Sequence, residues 1–159
     1  MKEYIKTLDK NLKYVKHELV DDTYYIYCET KTKEFKHPEK DIKTKSVKHR
    51  YTRNVDDIPF NGKKVRLIIK VKVFLFRSIS NEKNQFVENL DFLSDDYQRS
   101  RRTKRLESFI LDFANNGSAI STEKTLKRSG VRISDTSINR MFKKKEKKQT
   151  NKSSEKNCD

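Results

Sequence analysis

Between Lys63 and Phe76 the chain alternates apolar and basic side chains. Val65, Leu67, Ile69, Val71, Val73 and Leu75 hold the odd positions, while Lys64, Arg66, Lys70 and Lys72 hold even ones. A period of two sends these sets to opposite sides of a strand. This segment therefore predicts a sheet with one buried face and one cationic face. Asn61-Gly62, just upstream, tolerates the positive φ angles of a tight hairpin turn, and Ser46 to Arg53 reads as a further strand. Thr23 to Thr30, TYYIYCET, is aromatic and β-branched and reads as another. Earlier still, Tyr4, Ile5, Leu8, Leu12 and Val15 recur at roughly helical spacing, which predicts a short amphipathic helix within residues 1–22. Residues 31–45 read as a charged loop.

From Asp91 the pattern turns helical. Leu106, Phe109, Ile110 and Phe113 form one apolar stripe, and Asn115-Asn116-Gly117 offers a left-handed cap to end it. A second helix is expected to start at Ser121 or Thr122 and to run through Leu126 to Ser129. Gly130 makes a turn, Val131 and Ile133 plug the core, and Ser134 caps a third helix, SDTSINRMFKKK. Beyond Phe142 the sequence is KKKEKKQTNKSSEKNCD, a composition typical of disorder.

The expected organisation is α+β. Residues 1–22 form a helical extension, 23–90 a small antiparallel β module, 91–144 a three-helix domain and 145–159 a disordered lysine-rich tail. Only 33% of the 159 residues are hydrophobic and 38% are charged, which suits two small cores better than one large one. The 38 Lys and Arg outnumber the 23 Asp and Glu to give a net charge of +15. An excess of that size points to a polyanionic partner, usually nucleic acid. No run approaches the ~18 apolar residues of a membrane span, and the start lacks the apolar core of a signal peptide, so a cytoplasmic protein is expected. Two cysteines, Cys28 and Cys158, make no disulfide scaffold. Cys28 reads as a buried strand residue, and His37 and His49 as polar surface residues.

Arg50-Tyr51-x-Arg53, Asp57-Ile58-Pro59 followed by Gly62-Lys63, Phe86-x-Glu88 and Thr103-Lys104-Arg105-Leu106-Glu107 occur in a characteristic order. With that order and spacing, residues 20–144 resemble the amino-terminal region of the ISL-three family of insertion-sequence transposases. The resemblance implies a small zinc-binding module followed by a helix-turn-helix that recognises the terminal inverted repeats of the element. It places the acidic-triad nuclease in a much longer domain that follows this region, so the expectation is DNA recognition by a truncated transposase, with no catalytic residues and no cofactor in this chain. Asp56-Asp57 and Asp95-Asp96 read as caps or solvated turn charges.

Where the family carries Cys-Pro-x-Cys, this chain reads His37-Pro38-Glu39-Lys40. At the second pair, within Leu75-Phe76-Arg77-Ser78-Ile79-Ser80-Asn81, Phe76 and Asn81 stand where thiolates are implied. A tetrahedral zinc site needs four N or S ligands, and only His37 qualifies, so no metal is expected and the zinc-ribbon-like module is degenerate.

The expected partner is double-stranded DNA, with a full-length transposase or a second copy of the chain as a further one. No membrane or small-molecule substrate is implied. At 100° per residue, Thr136, Arg140 and Lys143 share one side of the third helix with Asn139 on its flank, opposite Ile138, Met141 and Phe142. Arg and Asn are suited to read guanine and adenine edges in a major groove. Arg99, Arg101, Arg102, Lys104 and Arg105, with Lys64, Arg66, Lys70 and Lys72 on the sheet, are expected to hold phosphates. Three alternatives remain open: a helical bundle with a solvated face, a stand-alone basic regulator or nucleoid-associated protein, and a single-strand or RNA binder stacking bases on Tyr24, Tyr25, Tyr27 and Tyr51.

Overall fold

Strand β6 (Lys63–Leu75) is the centre of the structure, a computed structural model that describes residues 1–77, 84–93 and 101–155. On one edge it pairs antiparallel with β5 (Val47–Phe60) through the turn at Asn61-Gly62, whose φ angles are 50° and 71°. Both residues are left-handed, as a two-residue hairpin of this hand requires. On the other edge it pairs with β2 (Thr23–Thr30), and beyond the reach of β2 with β7 (Gln85–Val87). The β2–β6 pair is parallel, which corrects the expectation of a wholly antiparallel module. The sheet order is β1-β2-β6-β5, with β1 (Leu12–Val20) at the edge.

The first 22 residues also depart from expectation. The helix α1 (Lys2–Leu8) stops after two turns, and residues 12–20 form β1. Val15 hid the alternation, because the β1–β2 register shifts between Tyr14 and Lys16 and a bulge there interrupts the period of two. The β1–β2 turn is Asp21-Asp22, with φ 46° and 61°. Two short strands, β3 (Phe35–Lys36) and β4 (Lys43–Thr44), form a hairpin inside the segment read as loop, and β5 runs seven residues past Arg53 to Phe60.

One face of the sheet is apolar. Ile26, Cys28, Val55, Val65, Leu67, Ile69 and Val71 pack there with Ile5 of α1, Leu12, and Leu90, Phe92 and Leu93 from the segment after β7. Burial, aided by the charge of Asp57, pushes the Cys28 thiol up to about 12, so it stays protonated and unreactive near neutral pH. Glu88 closes the end of this layer by accepting hydrogen bonds from Thr30 Oγ1 and from the Lys72 amide, both at 2.6 Å.

The helices are α2 (Lys104–Ala114), α3 (Ala119–Arg128) and α4 (Asp135–Glu155), packed pairwise. Leu106, Ile110, Ala114, Leu126, Val131, Ile133 and Ile138 make their common core. Thr103 caps α2 by accepting the Leu106 amide, and Ser118 caps α3 by accepting that of Ser121. The cap is therefore Ser118, three residues before the expected start, and among the described residues the helical pattern read from Asp91 becomes helix at Lys104. Among the described residues no left-handed cap ends α2, since Asn115 has φ −64° and the positive φ values lie elsewhere. Ser134 caps α4, accepting the Ser137 amide at 3.3 Å. That helix continues to Glu155 instead of ending with the expected segment SDTSINRMFKKK and giving way to a disordered tail. Lys, Glu and Gln are good helix formers, so intrinsic propensity carries it past its last apolar contact. None of the described helices is long and apolar enough to cross a membrane.

Two features join the helices to the sheet. Asp57, on β5, is buried and accepts hydrogen bonds from Tyr4 Oη (2.8 Å), Thr103 Oγ1 (2.6 Å) and Arg105 Nε (2.8 Å), so one carboxylate ties α1 and α2 to the sheet. Gly130, with φ 86°, lies in the α3–α4 turn against the β5–β6 hairpin. A Cβ there would sit 3.1 Å from the Lys64 amide nitrogen and 3.3 Å from the Gly62 carbonyl oxygen. Both neighbours are backbone, so neither yields readily. Gly130→Ala is expected to cost roughly 2 kcal/mol or more, from left-handed strain plus the lost docking of the turn. Urea denaturation measures it, and an unchanged midpoint would show that the turn does not bear on the hairpin.

Candidate nucleic-acid interface

The cationic residues expected to meet phosphate divide into two groups. On the sheet, Lys64 Nζ lies 3.3 Å from Asp56 Oδ2, and Arg66 Nε donates to Asp56 Oδ1 at 2.8 Å. That hydrogen bond and the carboxylate's charge hold the Arg66 guanidinium above its ordinary pKa despite partial burial. Lys72 Nζ donates to the carbonyls of Thr30 (2.9 Å) and Thr32 (2.6 Å). These three side chains, expected at the phosphates, are already engaged by partners in or next to the sheet. The Lys70 side chain is exposed and, among the described residues, makes no ion pair or hydrogen bond.

The Arg99–Arg105 cluster divides as well. Arg99, like Asp95-Asp96, Asn81 and Cys158, lies outside the described residues. Arg101 and Lys104 are exposed, and their backbones bond to Asp56 and Phe92, respectively. Arg102 is half-buried in a bridge to Asp56. Arg105 is a structural residue: both arms of its guanidinium engage Asp57, and it lies 4.5 Å above the Tyr4 ring centroid. Burial works against the charged guanidinium, but the Asp57 hydrogen bonds and charge outweigh it and leave its pKa raised. Asp57 is thus not a solvated turn charge, and Asp56 is engaged by Lys64 and Arg66.

On α4, Thr136, Asn139, Arg140 and Lys143 are all exposed, along one side of the helix. Ile138 is fully buried on the opposite side, and Met141 and Phe142 pack against the same core. Thr136 bonds locally to Asp135 Oδ1, whereas Asn139, Arg140 and Lys143 have no hydrogen-bond or ion-pair partner among the described residues. Glu123 of α3 accepts the Asp135 amide at 3.0 Å, so the start of α4 is fixed to its neighbour. Lys127 and Arg128 on α3, Arg132 in the turn, and Lys144, Lys145 and Lys147 on α4 are exposed as well, and Lys144 and Lys145 line a groove with Glu107 and Asp112 of α2.

Two of the positions at which zinc ligands are implied, His37 and Phe76, join an aromatic cluster. His37 is only 4% exposed, correcting its reading as a surface residue. Its ring meets Phe86 at 4.6 Å and Phe76 at 5.1 Å, both edge-on, while Phe35 stacks on Phe74 at 5.4 Å. His37 Nδ1 accepts the amides of Glu39 and Lys40, each at 3.1 Å, so the turn after Pro38 is organised by an imidazole acceptor. The described residues include no group of three or more His, Cys, Asp or Glu able to share a metal ion.

The open face of the sheet was only partly foreseen. Pairing places Lys16 beside Tyr27 and Ile68, Glu18 beside Tyr25 and Arg66, and Glu29 beside Lys13 and Lys70. Arg50 pairs with Lys72 and Thr52 with Lys70 on the same face. Lys16 and Arg50 were missed, because the alternation that reveals them depends on the β1 bulge and on cross-strand register. Tyr24 turns inward against Phe60, at 5.8 Å, and Tyr51 is exposed. Compared with protein-family models, curated proteins and solved structures, the chain matches none.

Proposed function

We propose that this chain is a double-stranded DNA-binding module in which α4 enters the major groove, the role of a helix-turn-helix in an ISL-three-like transposase that recognises the element's terminal inverted repeats. The observation that carries this reading is the stripe of Thr136, Asn139, Arg140 and Lys143, exposed on a helix whose other side is locked into a core. A helix held that way presents its polar side chains at fixed positions, which base readout requires. Arg140 has the donor geometry for guanine O6 and N7, and Asn139 that for adenine N6 and N7. Lys143 continues the same side of the helix toward the phosphate backbone, and Arg101 and Lys104 at the start of α2 supply further charge. In this reading the β3–β4 hairpin with its aromatic cluster is the counterpart of a zinc ribbon that has exchanged metal ligation for ring packing.

Selection of duplexes from a randomised pool, followed by gel shifts, tests the proposal. The enriched duplex is expected to bind at least 100-fold more tightly than a scrambled duplex at physiological salt. Equal affinity for the enriched duplex, the scrambled duplex and single-stranded RNA would overturn it. Tight binding to both duplexes alike would instead favour an architectural protein that holds DNA without reading it.

A further inference from the structure

We propose that the open face of the sheet is a second nucleic-acid surface, made for a single strand and separate from α4. Among the described residues no helix covers this face; the main apolar core of the sheet lies on the other side, and Phe74, at the β7 end of β6, is buried on this side against Phe35. Tyr25 and Tyr27 stand two residues apart on β2, half-buried, with Ile68 of β6 beside Tyr27. A groove of about 510 Å³ opens here, and Lys13, Lys16, Tyr27, Thr52, Ile68 and Lys70 contribute to its walls.

Charge selects the occupant. At one end of the face Asp56 is engaged by Lys64 and Arg66. Further along, Lys16 Nζ lies 4.5 Å from the Tyr27 ring centroid, and the side chains of Lys70 and Arg50 form no ion pair or hydrogen bond among the described residues. Lys13 pairs with Glu29, but the lysine side chain is 63% exposed and the pair is open to exchange. Glu18 accepts the Tyr27 hydroxyl on this face, but Lys13, Lys16, Arg50 and Lys70 outnumber Glu18 and Glu29, and that surplus beside tyrosine rings matches a phosphodiester chain with accessible bases.

The rings argue for a single strand. In a duplex the base faces are already stacked, so a tyrosine on a flat sheet meets only phosphate and sugar. Unpaired bases can lie on the rings, with lysines along the backbone. Alternate residues of a strand are about 7 Å apart, near twice the roughly 3.4 Å per nucleotide of a stacked strand. Tyr25 and Tyr27 would therefore take alternate bases or two splayed neighbours. This surface does not depend on the reading of α4, and the two can fail separately.

Fluorescence anisotropy with labelled twelve-residue oligothymidylate tests it, alongside the duplex enriched by selection. Tyr25→Ala with Tyr27→Ala is expected to weaken oligothymidylate binding about tenfold or more, while duplex affinity stays within about twofold. The paired Phe substitutions should retain the single-strand affinity, because the rings remain. Arg140→Ala with Lys143→Ala should give the opposite pattern. Should the double alanine variant fail to fold, Lys16→Glu with Lys70→Glu replaces it, and a loss of about tenfold or more is again expected for the single strand at low salt. No binding of oligothymidylate by the native chain would overturn the proposal. So would unchanged affinity in the folded alanine or charge-reversed variants, loss in the Phe variants equal to that in the alanine variants, or a parallel loss for the duplex.

Discussion

Asp57→Asn is expected to lower the unfolding free energy by about 3 kcal/mol, the largest effect anticipated for a single isosteric change in this chain. The carboxylate is fully buried and receives Tyr4, Thr103 and both arms of Arg105. Asparagine keeps the shape but leaves Arg105 without its counter-charge and offers only one acceptor oxygen. The Arg105 side chain is 25% exposed, so water takes up part of the loss and the cost stays toward the low end for a broken buried pair. For a domain of this length that corresponds to a fall in Tm on the order of 10 °C, measurable by calorimetry. Adding Arg105→Ala should cost less than the sum of the two single changes, since the stranded charge is then gone. A fall below about 1 kcal/mol for Asp57→Asn would mean that α1, β5 and α2 are not held through this group.

Arg140→Ala and Lys143→Ala are expected to weaken duplex binding in different ways. Arg140 is placed to read a base, so its loss should cost roughly 1–3 kcal/mol on the preferred duplex and relax the preference at one position. Lys143 is placed on the phosphates, so its loss should weaken every duplex alike and reduce the slope of log affinity against log salt by about 1. Both side chains are exposed and have no partner among the described residues, so neither change should alter stability beyond ~0.5 kcal/mol. Titrations of enriched and scrambled duplexes at several salt concentrations separate the two effects. Identical profiles for both variants would remove Arg140 from base readout.

Legibility from sequence followed the range of the interaction that fixed each element. The β5–β6 hairpin could be read because Asn61-Gly62 and the alternation after it are local signals. The Gly130 turn and the Ser134 cap were readable for the same reason, as was the α2 stripe through Leu106, Phe109 and Ile110, although Phe113 stays exposed. The parallel pairing of β2 with β6 was not, because both strands carry valid patterns for either direction and their order is set across the intervening residues 31–62. The bulge at Tyr14 and Lys16 concealed β1, and Asp21-Asp22 lacks the glycine that usually marks a two-residue hairpin.

The same division applies to function. The α4 stripe follows from helical geometry alone, and its residues lie on the exposed side. Arg105 and Lys72 carry the charge of phosphate ligands, yet each is claimed by partners far away in sequence: Asp57 for one, the Thr30 and Thr32 carbonyls for the other. Charge marks what a side chain can bind; only the packed structure decides whether the protein has used it already. His37 is a comparable case, a polar residue drawn into an aromatic cluster by Phe76 and Phe86.

Amide chemical-shift mapping of the isotopically labelled protein against the selected duplex most directly tests α4 as the reading helix. The largest perturbations should fall on the α4 amides from Asp135 to Lys145 and on Arg101 to Lys104, with the open sheet face unchanged. Perturbations centred on Tyr25, Tyr27 and Lys70, with α4 unmoved, would contradict it.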